Sequence, residues 1–414
     1  MKKLLLVLVA LVSVITVVSC NKAEAPTLTI FQNKVEIGEA LTAYAEAWGL
    51  ANDVKVEVVT CGGDSCAYGD QILAEFQKDI QPDIFVIEGM GGYNDYQDYI
   101  LSQDGAAWLA DTDLAFKVDG VVYGFPVAVE GWGLAYNLEI LTAAGVNPAS
   151  LTSIGAYRTA FAAIQAYYDA NSMADYSVVS MAAGDGMTWV TGLHNFNGYL
   201  STGLAYDDSS VIDDLNNGVA NDTRLAGLAD WVELLFQYAD QTVLLQGTYD
   251  TQVQLFDSGH AAFIHQGNWI DPNLDEATFE MGYAPHATVA GTVDSIFVSA
   301  PSYYVINTNS DAITEAKAFL DDLALTTAGA EYMVNEAKMV PAFKSITLQP
   351  STPLSKAVAS WMASGNIYAW WQNDMPSGFG MNTVGPIYTA YASGQISKAQ
   401  FIAQIKAAIE AIGA

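Results

Sequence analysis

Residues 119–137 read DGVVYGFPVAVEGWGLAYN, and no other stretch of the chain is as informative about function. Two short apolar runs, Val121–Tyr123 and Leu134–Tyr136, enclose a segment that contains a proline, three glycines, Glu130 and Trp132. Strands favour continuous or alternating apolar residues, and Gly and Pro interrupt them where the backbone bends or approaches another group closely. Because core packing alone poorly explains a carboxylate and an indole at such an interruption, both residues are candidates for function.

The same stretch resembles the first interdomain crossover of bacterial extracellular solute-binding proteins of the maltose-binding-protein type, which serve ABC sugar importers. Its two halves correspond to YGFP at 123–126 and LAYN at 134–137. Three further segments resemble motifs of that family in the family's order: PDIFVIEGMGGY at 82–93, the GHAAFI and GNW segments within 259–269, and YVIN at 304–307. The resemblance therefore extends through nearly the whole chain that follows the export signal.

An export signal occupies the N-terminus. Two lysines precede an apolar run from Leu4 to Val18, which is too short to span a bilayer comfortably and is followed at once by Ser-Cys. The segment VVSC, ending at Cys20, resembles the bacterial lipobox, in which the cysteine becomes the lipidated first residue. We predict a lipoprotein signal peptide over 1–19, lipidation of Cys20 and an N-terminal linker over 20–26. The alternative is an ordinary secretory signal with an incidental cysteine.

Composition narrows the possible partners. The body that remains after residue 19 has 395 residues (414 minus 19), enough for two domains with their own cores. The formal net charge is −31, from 46 acidic and only 15 basic residues. Such a field repels nucleic acid phosphates and anionic lipid headgroups. We therefore predict no nucleic acid partner and membrane contact through the lipid anchor only, and we expect a monomer.

The remaining cysteines, Cys61 and Cys66, lie in the short segment CGGDSC. In an oxidising compartment this spacing predicts a small disulfide loop, and two buried free thiols are the alternative. Zinc needs about four such ligands, and redox enzymes usually show C-x-x-C, so both fit less well. The four histidines show no metal-ligand spacing, and we predict neither a metal nor a cofactor.

Alternating strand and helix patterns predict an α/β fold. Strand patterns at Thr27–Phe31, Val54–Val59 and Asp83–Ile87 separate helical ones, and Ser295–Asn307 looks like one long strand. Ser397 with Gln400 forms a capping box that predicts a closing amphipathic helix.

The family resemblance implies a two-lobed, periplasmic-binding-protein-like fold. Each lobe would be a mainly parallel sheet flanked by helices, and a three-crossover hinge would join the lobes near 126–131, 288–300 and 341–352. The predicted division is 27–128 plus 296–345 for lobe 1, and 129–295 plus 346–414 for lobe 2.

A sugar receptor needs planar aromatics that stack on ring faces, and planar polar groups that bridge hydroxyls. Aromatic candidates are those in polar, Gly-containing segments: Trp132, Trp189, Trp269, Trp371 and Phe379. Trp269 corresponds to the family's stacking aromatic. For the others, partial burial in a core is the alternative.

The polar candidates are carboxylates and an amide near predicted strand ends or in Gly-rich loops: Asn33, Glu88, Glu130 and Asp185. Glu130 corresponds to the family's crossover carboxylate and Glu88 to the acidic residue after the third strand, and surface solvation is the alternative. Gly89 stands where maltose-binding proteins have a basic residue, which argues against maltose itself.

The resemblance implies a lipid-anchored, extracytoplasmic substrate-binding protein, on the periplasmic or cell-surface side. It would capture a carbohydrate, a di- or oligosaccharide, and deliver it to the membrane permease of an ABC importer. The alternatives are a same-fold binding protein for a polyamine, iron or phosphate, and a secreted carbohydrate-active enzyme. A G-x-S-x-G elbow and a Gly-Lys phosphate-loop dipeptide are both missing from the sequence.

Overall fold

The computed structural model describes residues 25–62 and 66–413, and the predicted signal peptide, the predicted lipidation site Cys20 and most of the predicted linker lie outside these ranges. The strands are β1 (Thr27–Gln32), β2 (Lys55–Thr60), β3 (Ile84–Glu88), β4 (Phe116–Val118), β5 (Val121–Pro126), β6 (Glu130–Trp132), β7 (Leu134–Asn137), β8 (Ser177–Ser180), β9 (Ala261–Ile264), β10 (Met281–Ala284), β11 (Ile296–Ser299), β12 (Ser302–Ile306) and β13 (Ile367–Tyr368).

The α-helices are α1 (Gly38–Asn52), α2 (Tyr68–Glu75), α3 (Gly89–Tyr96), α4 (Leu138–Ala143), α5 (Ile154–Ala170), α6 (Phe196–Ser201), α7 (Ser210–Asn216), α8 (Asp222–Tyr238), α9 (Gln241–Gln246), α10 (Tyr249–Asp257), α11 (Ile313–Leu325), α12 (Thr327–Glu331), α13 (Pro353–Ser364), α14 (Gly385–Ala392) and α15 (Lys398–Glu410). Three segments are π-helical: Trp189–Asn195, Tyr332–Glu336 and Phe379–Val384.

Lobe 1 is built on a six-stranded sheet with the order β2-β1-β3-β12-β5-β4. Strand β1 pairs in parallel with both β2 and β3, whereas β12 is antiparallel to both of its neighbours, β3 and β5. The prediction of a mainly parallel sheet is therefore wrong. The reason is that β12 returns from the other lobe in the opposite direction, and that β4 and β5 form an antiparallel pair close in sequence.

Lobe 2 contains a four-stranded sheet with the order β10-β7-β9-β8, in which only β8 and β9 are parallel. This sheet is mixed as well. Its helical cover includes α5 and α8, two 17-residue helices in the middle third of the chain. The two-lobed α/β fold is confirmed, and the sheets of both lobes are mixed.

A small third sheet, with the order β13-β11-β6, joins the lobes. Strand β11 pairs antiparallel with β6 and parallel with β13. The predicted single strand over Ser295–Asn307 is in fact β11 and β12, separated by Ala300 and Pro301, because proline has no N–H for a sheet ladder. All strands of the two large sheets lie within the segments predicted for their lobes, and the lobe boundaries stay predictions.

Apolar side chains form two large clusters. One runs from the helices and sheet of lobe 1 through β11 to α13 and β9, so the hinge is packed on both sides. The other fills the remainder of lobe 2 between α5, α8 and α15. The last of these helices begins at the predicted capping box of Ser397 and Gln400, which is confirmed. Among the residues that the structure describes, no helix combines the length and apolarity that a bilayer crossing needs.

A disulfide joins Cys61 and Cys66 immediately after β2. Replacing both cysteines by alanine should lower the free energy of unfolding by about 2 kcal/mol, as loop-closure entropy gives for a loop of about six residues. Urea unfolding of the ligand-free mature protein measures this loss, and reduced wild type should unfold at the same lower midpoint. Identical unfolding curves for the variant and the oxidised wild type would contradict it.

Candidate functional site

A cleft with a volume of about 970 Å³ lies between the lobes. Small-molecule sites typically have volumes of about 300–1,000 Å³, so this cleft is at the large end of the range. Lobe 1 contributes the residues that follow β1 and β3, together with α2 and α3. Ligands bind beyond the carboxyl ends of strands in open α/β sheets, and β1 and β3 both present that end to the cleft.

The lobe 1 wall is polar. Asn33 Nδ2 donates a hydrogen bond to Glu88 Oε1 at 3.0 Å, which brings these two predicted residues together after β1 and β3. The Glu88 side chain faces the open cleft, yet the surrounding protein desolvates it and raises its pKa, against the opposing effects of Lys34 and Asn33. Tyr68, on α2, is fixed because its hydroxyl donates to the carbonyl of Val86 and accepts from the amide of the same residue.

The lobe 2 wall is aromatic. Two of its side chains, Trp189 and Trp269, were predicted, and Tyr249 and Trp370 join them. The rings of Trp269 and Trp370 are nearly parallel, with centroids 6.1 Å apart, and Trp189 and Tyr249 are 6.0 Å apart. Flat apolar faces of this kind stack on the C–H faces of a sugar ring. The predicted Asp185 is exposed at the edge of this wall.

The sequence Gly267-Asn268-Trp269 explains how the central indole is held. A Cβ at Gly267 would lie 2.0 Å from Trp269 Cζ3, so only glycine lets the ring lie flat against the backbone. The indole Nε1 donates to Gln266 Oε1 at 2.9 Å, which fixes the orientation of the ring. Asn268 Oδ1 accepts the N–H of Gly131 at 2.8 Å and ties the loop to β6.

A buried ion pair stands at the base of the cleft. Lys34 Nζ contacts a carboxylate oxygen of Glu130, and a carboxylate oxygen of Glu36 is 3.8 Å away. The Lys34 and Glu130 side chains are only 12% and 10% exposed. Burial lowers the pKa of Lys34, but the carboxylates of Glu130, Glu36 and Glu88 outweigh that effect and raise the pKa, so the ammonium stays charged. The pair joins the end of β1 in lobe 1 to the hinge strand β6.

Several buried polar atoms beside the cleft have no hydrogen-bond partner among the described residues: His194 Nδ1, Ser302 Oγ, Trp370 Nε1 and Gln372 Oε1. Buried polar groups in proteins are nearly always paired, so these atoms are candidate positions for a partner from a bound solute or from water. Burial lowers the pKa of His194 well below its ordinary value, with smaller effects from His265 and Lys34. Its imidazole is therefore neutral near pH 7.

Three predicted residues do not line the cleft. Trp132 is fully buried, because its register partner on β11, Phe297, covers it with ring centroids 4.1 Å apart. The Trp371 side chain packs into the lobe 2 core, and its Nε1 donates to the carbonyl of Asp208. Phe379 is buried against the helices of the same core. The prediction that these three residues contact the ligand is therefore wrong. The other predicted residues remain candidates for ligand contacts.

The residues that sequence reasoning missed are Lys34, Tyr68, His194, Tyr249 and Trp370. The sequence offered a signal for two of them: Lys34 follows Asn33 directly after β1, at the strand end where ligands bind, and the pair of tryptophans at 370 and 371 predicts that one of the two faces the cleft. Which one does depends on the turn after β13. Within 25–62 and 66–413, no three His, Cys, Asp or Glu side chains converge to hold a metal.

Two π-helical segments that pack on each other support the aromatic wall of lobe 2. Trp189–Asn195 carries Trp189 and His194, and it packs on Phe379–Val384 through facing glycines. A Cβ at Gly192 would lie 2.0 Å from the carbonyl oxygen of Gly380, and one at Gly380 would lie 2.7 Å from that of Gly192. This glycine seam sets the distance between the two segments and hence the position of the aromatic wall.

Two α/β lobes, a hinge sheet and a large intervening cleft define a binding protein that closes over a small solute. The chain belongs to the bacterial extracellular solute-binding protein family, whose sequence model matches residues 39–384. Membership in an extracellular family places the protein outside the cytoplasm, as expected from the sequence.

Solved structures of similar fold include three sugar-binding proteins. A sugar transporter protein from Bacillus licheniformis in complex with stachyose is 18% identical, with a TM-score of 0.71 over 93% of this chain and 100% of that chain. A chitin oligosaccharide binding protein is also 18% identical, with a TM-score of 0.75 over 94% and 99% of the two chains. RafE in complex with raffinose is 14% identical, with a TM-score of 0.75 over 94% and 100%. A search of curated proteins found no match.

The glycine seam predicts the effect of a single methyl group. Gly192→Ala should push the two π-helical segments apart and lower the free energy of unfolding by about 1–3 kcal/mol, as overpacking does. It should also change tryptophan emission, because Trp189 lies on the displaced segment. Gly155→Ala is the matched control, since Gly155 is helical and has open space around its Cα. The seam has no such role if the two variants match in thermal unfolding and in emission.

Proposed function

We propose that this protein captures a carbohydrate, a di- or oligosaccharide, between its lobes and delivers it to the membrane permease of an ABC importer. The observation that carries the proposal is the composition of the cleft. Its aromatic wall, formed by Trp189, Tyr249, Trp269 and Trp370, faces a polar wall with Asn33 and Glu88. A sugar has apolar ring faces and a hydroxyl edge, and this arrangement can contact both at once.

The similar structures support the same class of ligand, since two of them hold stachyose and raffinose and the third is a chitin oligosaccharide binding protein. The size of the cleft also favours more than one sugar unit. Binding would stabilise the closed form, because a ligand in contact with both walls adds interactions that only the closed arrangement makes.

In the proposed function, the protein does not chemically change its ligand and uses no cofactor. Its family consists of solute-binding proteins, which supports capture rather than catalysis. Phosphate is a poor fit because Lys34, the one cation among the described residues that line the cleft, is already bound to Glu130. Anion sites usually need free donors from helix N-termini or arginine.

We further propose that the mature protein is a monomer tethered by acyl chains on Cys20, at the periplasmic or cell-surface side of a membrane. The export signal and the lipobox-like segment VVSC support this anchoring. Acyl chains add about 0.8 kcal/mol of membrane affinity for each buried methylene.

The decisive measurement for ligand capture is calorimetric titration, after a thermal-shift screen of mono-, di- and oligosaccharides. Trp269→Ala should weaken binding of the sugar found roughly tenfold or more, because stacking and buried area together exceed about 1.4 kcal/mol. Trp48→Ala is the matched control, since this indole packs in the lobe 1 core away from the cleft and its loss should leave affinity unchanged. Equal affinities of Trp269→Ala and wild type would place the site elsewhere, and release of a shortened sugar by the wild type would make the protein an enzyme.

Anchoring has its own test. Cys20→Ser should abolish acyl labelling and either release the protein from the membrane fraction or leave its signal peptide uncleaved, because serine cannot carry the thioether lipid. Fractionation and labelling of whole cells report both effects. A variant that fractionates and labels like the wild type would show that the protein is held by something other than a lipid on Cys20.

A further inference from the structure

We propose that the cleft selects sugars by charge, binding an amine-bearing sugar more tightly than the neutral form and the neutral form more tightly than the acidic one. This inference rests on the proposed function and names the class of carbohydrate. Three observations support it. Acidic side chains outnumber basic ones along the described cleft lining, Lys34 is already paired with Glu130, and two amide oxygens at the cleft have no hydrogen-bond donor.

Carboxylates outnumber cations along the cleft. Six acidic side chains line it within the described part of the chain: Glu36, Asp70, Glu88, Asp95, Glu130 and Asp185. Lys34 is the only lysine or arginine among these described lining residues, and His194 is neutral. The formal charge of the lining is therefore −5, from one positive and six negative groups.

The one ammonium is not free for a ligand. Lys34 contacts Glu130 and lies 3.8 Å from Glu36, and both side chains of the Lys34–Glu130 pair are largely buried. Drawing Lys34 away toward a ligand carboxylate would leave Glu130 buried without its partner, which is strongly unfavourable. An acidic sugar would thus enter a site that has no available counter-ion.

The remaining carboxylates lie on the open surface of the cleft. Asp70, Glu88, Asp95 and Asp185 are exposed, and the first three belong to the lobe 1 wall, whereas Asp185 stands on the opposite side. Their partners within the protein are neutral: Asn33 donates to Glu88, and Ser377 donates to Asp95 at 2.8 Å. Carboxylates only accept hydrogen bonds, so every ligand group that meets them must be a donor.

Buried atoms without partners and the opposite wall favour the same kind of ligand. Gln372 Oε1 and Asn33 Oδ1 are acceptors without donors, and both residues line the cleft. The faces of Trp189 and Trp269 attract cations as well as C–H groups, because the π-system is negative above the ring. An ammonium on a sugar therefore meets attraction from both walls, whereas a carboxylate is repelled by the lobe 1 carboxylates and finds on the lobe 2 wall only neutral donors, such as the unpartnered Trp370 Nε1.

The test compares sugars that share a ring configuration and differ at one charged substituent, the amine at C2 or the carboxylate at C6. Glucose, glucosamine and glucuronate form one series and galactose, galactosamine and galacturonate a second, each offered as the monosaccharide and as the β-1,4-linked trisaccharide. Thermal shift followed by calorimetry at low salt should give affinities in the order amine, neutral, acid. Each step should be about tenfold, the factor that corresponds to about 1.4 kcal/mol. The amine advantage should shrink as salt is raised, because salt screens exposed charges.

Variants separate the cleft from the acidity of the whole protein. Glu88→Gln and Asp185→Asn each remove one charge while keeping the side-chain shape, and each should reduce the ratio of amine to neutral affinity by about threefold, since solvent weakens such single-charge effects. Asp311→Asn removes an exposed charge away from the cleft and should leave that ratio unchanged. If all three variants change the ratio equally, the selectivity belongs to the overall charge and the proposal is overturned.

The outcomes distinguish this inference from the proposed function. An acidic sugar that binds as tightly as its neutral form, or an amine that gives no gain over the neutral form, overturns charge selectivity and leaves carbohydrate capture intact. If no saccharide of any charge binds, both proposals fail together. The ordered series with its salt dependence and cleft-specific variants supports both.

Discussion

The antiparallel pairing of β6 with β11 is the contact on which both lobes depend, since it joins two of the three chain passages between them. The third passage, near residues 341–352, is held close to this strand pair by the loop that carries Trp269. Asn268 binds the backbone of β6, and three residues later Asp271 accepts the amides of Leu354 and Ser355 at the start of α13. Burial raises the pKa of Asp271, and these donors oppose that shift. One short loop therefore fixes the stacking indole and the hinge together.

In the proposed function, the two walls of the cleft contribute different contacts to the sugar. Lobe 1 supplies carboxylates and an amide from the ends of β1 and β3, and lobe 2 supplies aromatic rings from its π-helical segments and the GNW loop. Such a division makes each lobe alone an incomplete site. Contacts such as that between Ser377 and Asp95 already span the gap, and the buried Lys34–Glu130 pair lies beneath it. A solute that fits both walls would add to an interface that the protein has partly built.

Sequence patterns predicted the architecture well because it depends on local rules and on motif order. The α/β class, the two lobes and the capping box before α15 all follow from periodicity, caps and the family's motifs. The direction of the sheet strands could not be predicted in this way. Strand β12 is antiparallel to its neighbours because the chain returns to lobe 1 through the hinge. No local pattern encodes that return.

Site residues were harder to predict, because a side chain's direction depends on its neighbours. Trp132 and Trp370 lie in one aromatic cluster, yet only the second reaches the cleft, since Phe297 covers the first. The position of Lys34 directly after β1 places it at the cleft, but its pairing with Glu130, which is far away in sequence, gave no signal.

The paired π-helical segments offer a way for the ligand specificity of the cleft to change during evolution. A π-helical turn closes its hydrogen bonds over five residues instead of four, so it holds one residue more than an α-helical turn. Deleting one residue from Trp189–Asn195 would restore an α-helix and change which side chains of this segment project toward the cleft, while the helix beyond it keeps its orientation. A different set of side chains would then face the solute, while the sheets and the hinge stayed as they are. Insertions and deletions of a single residue are thus a route to new specificity that leaves the scaffold untouched.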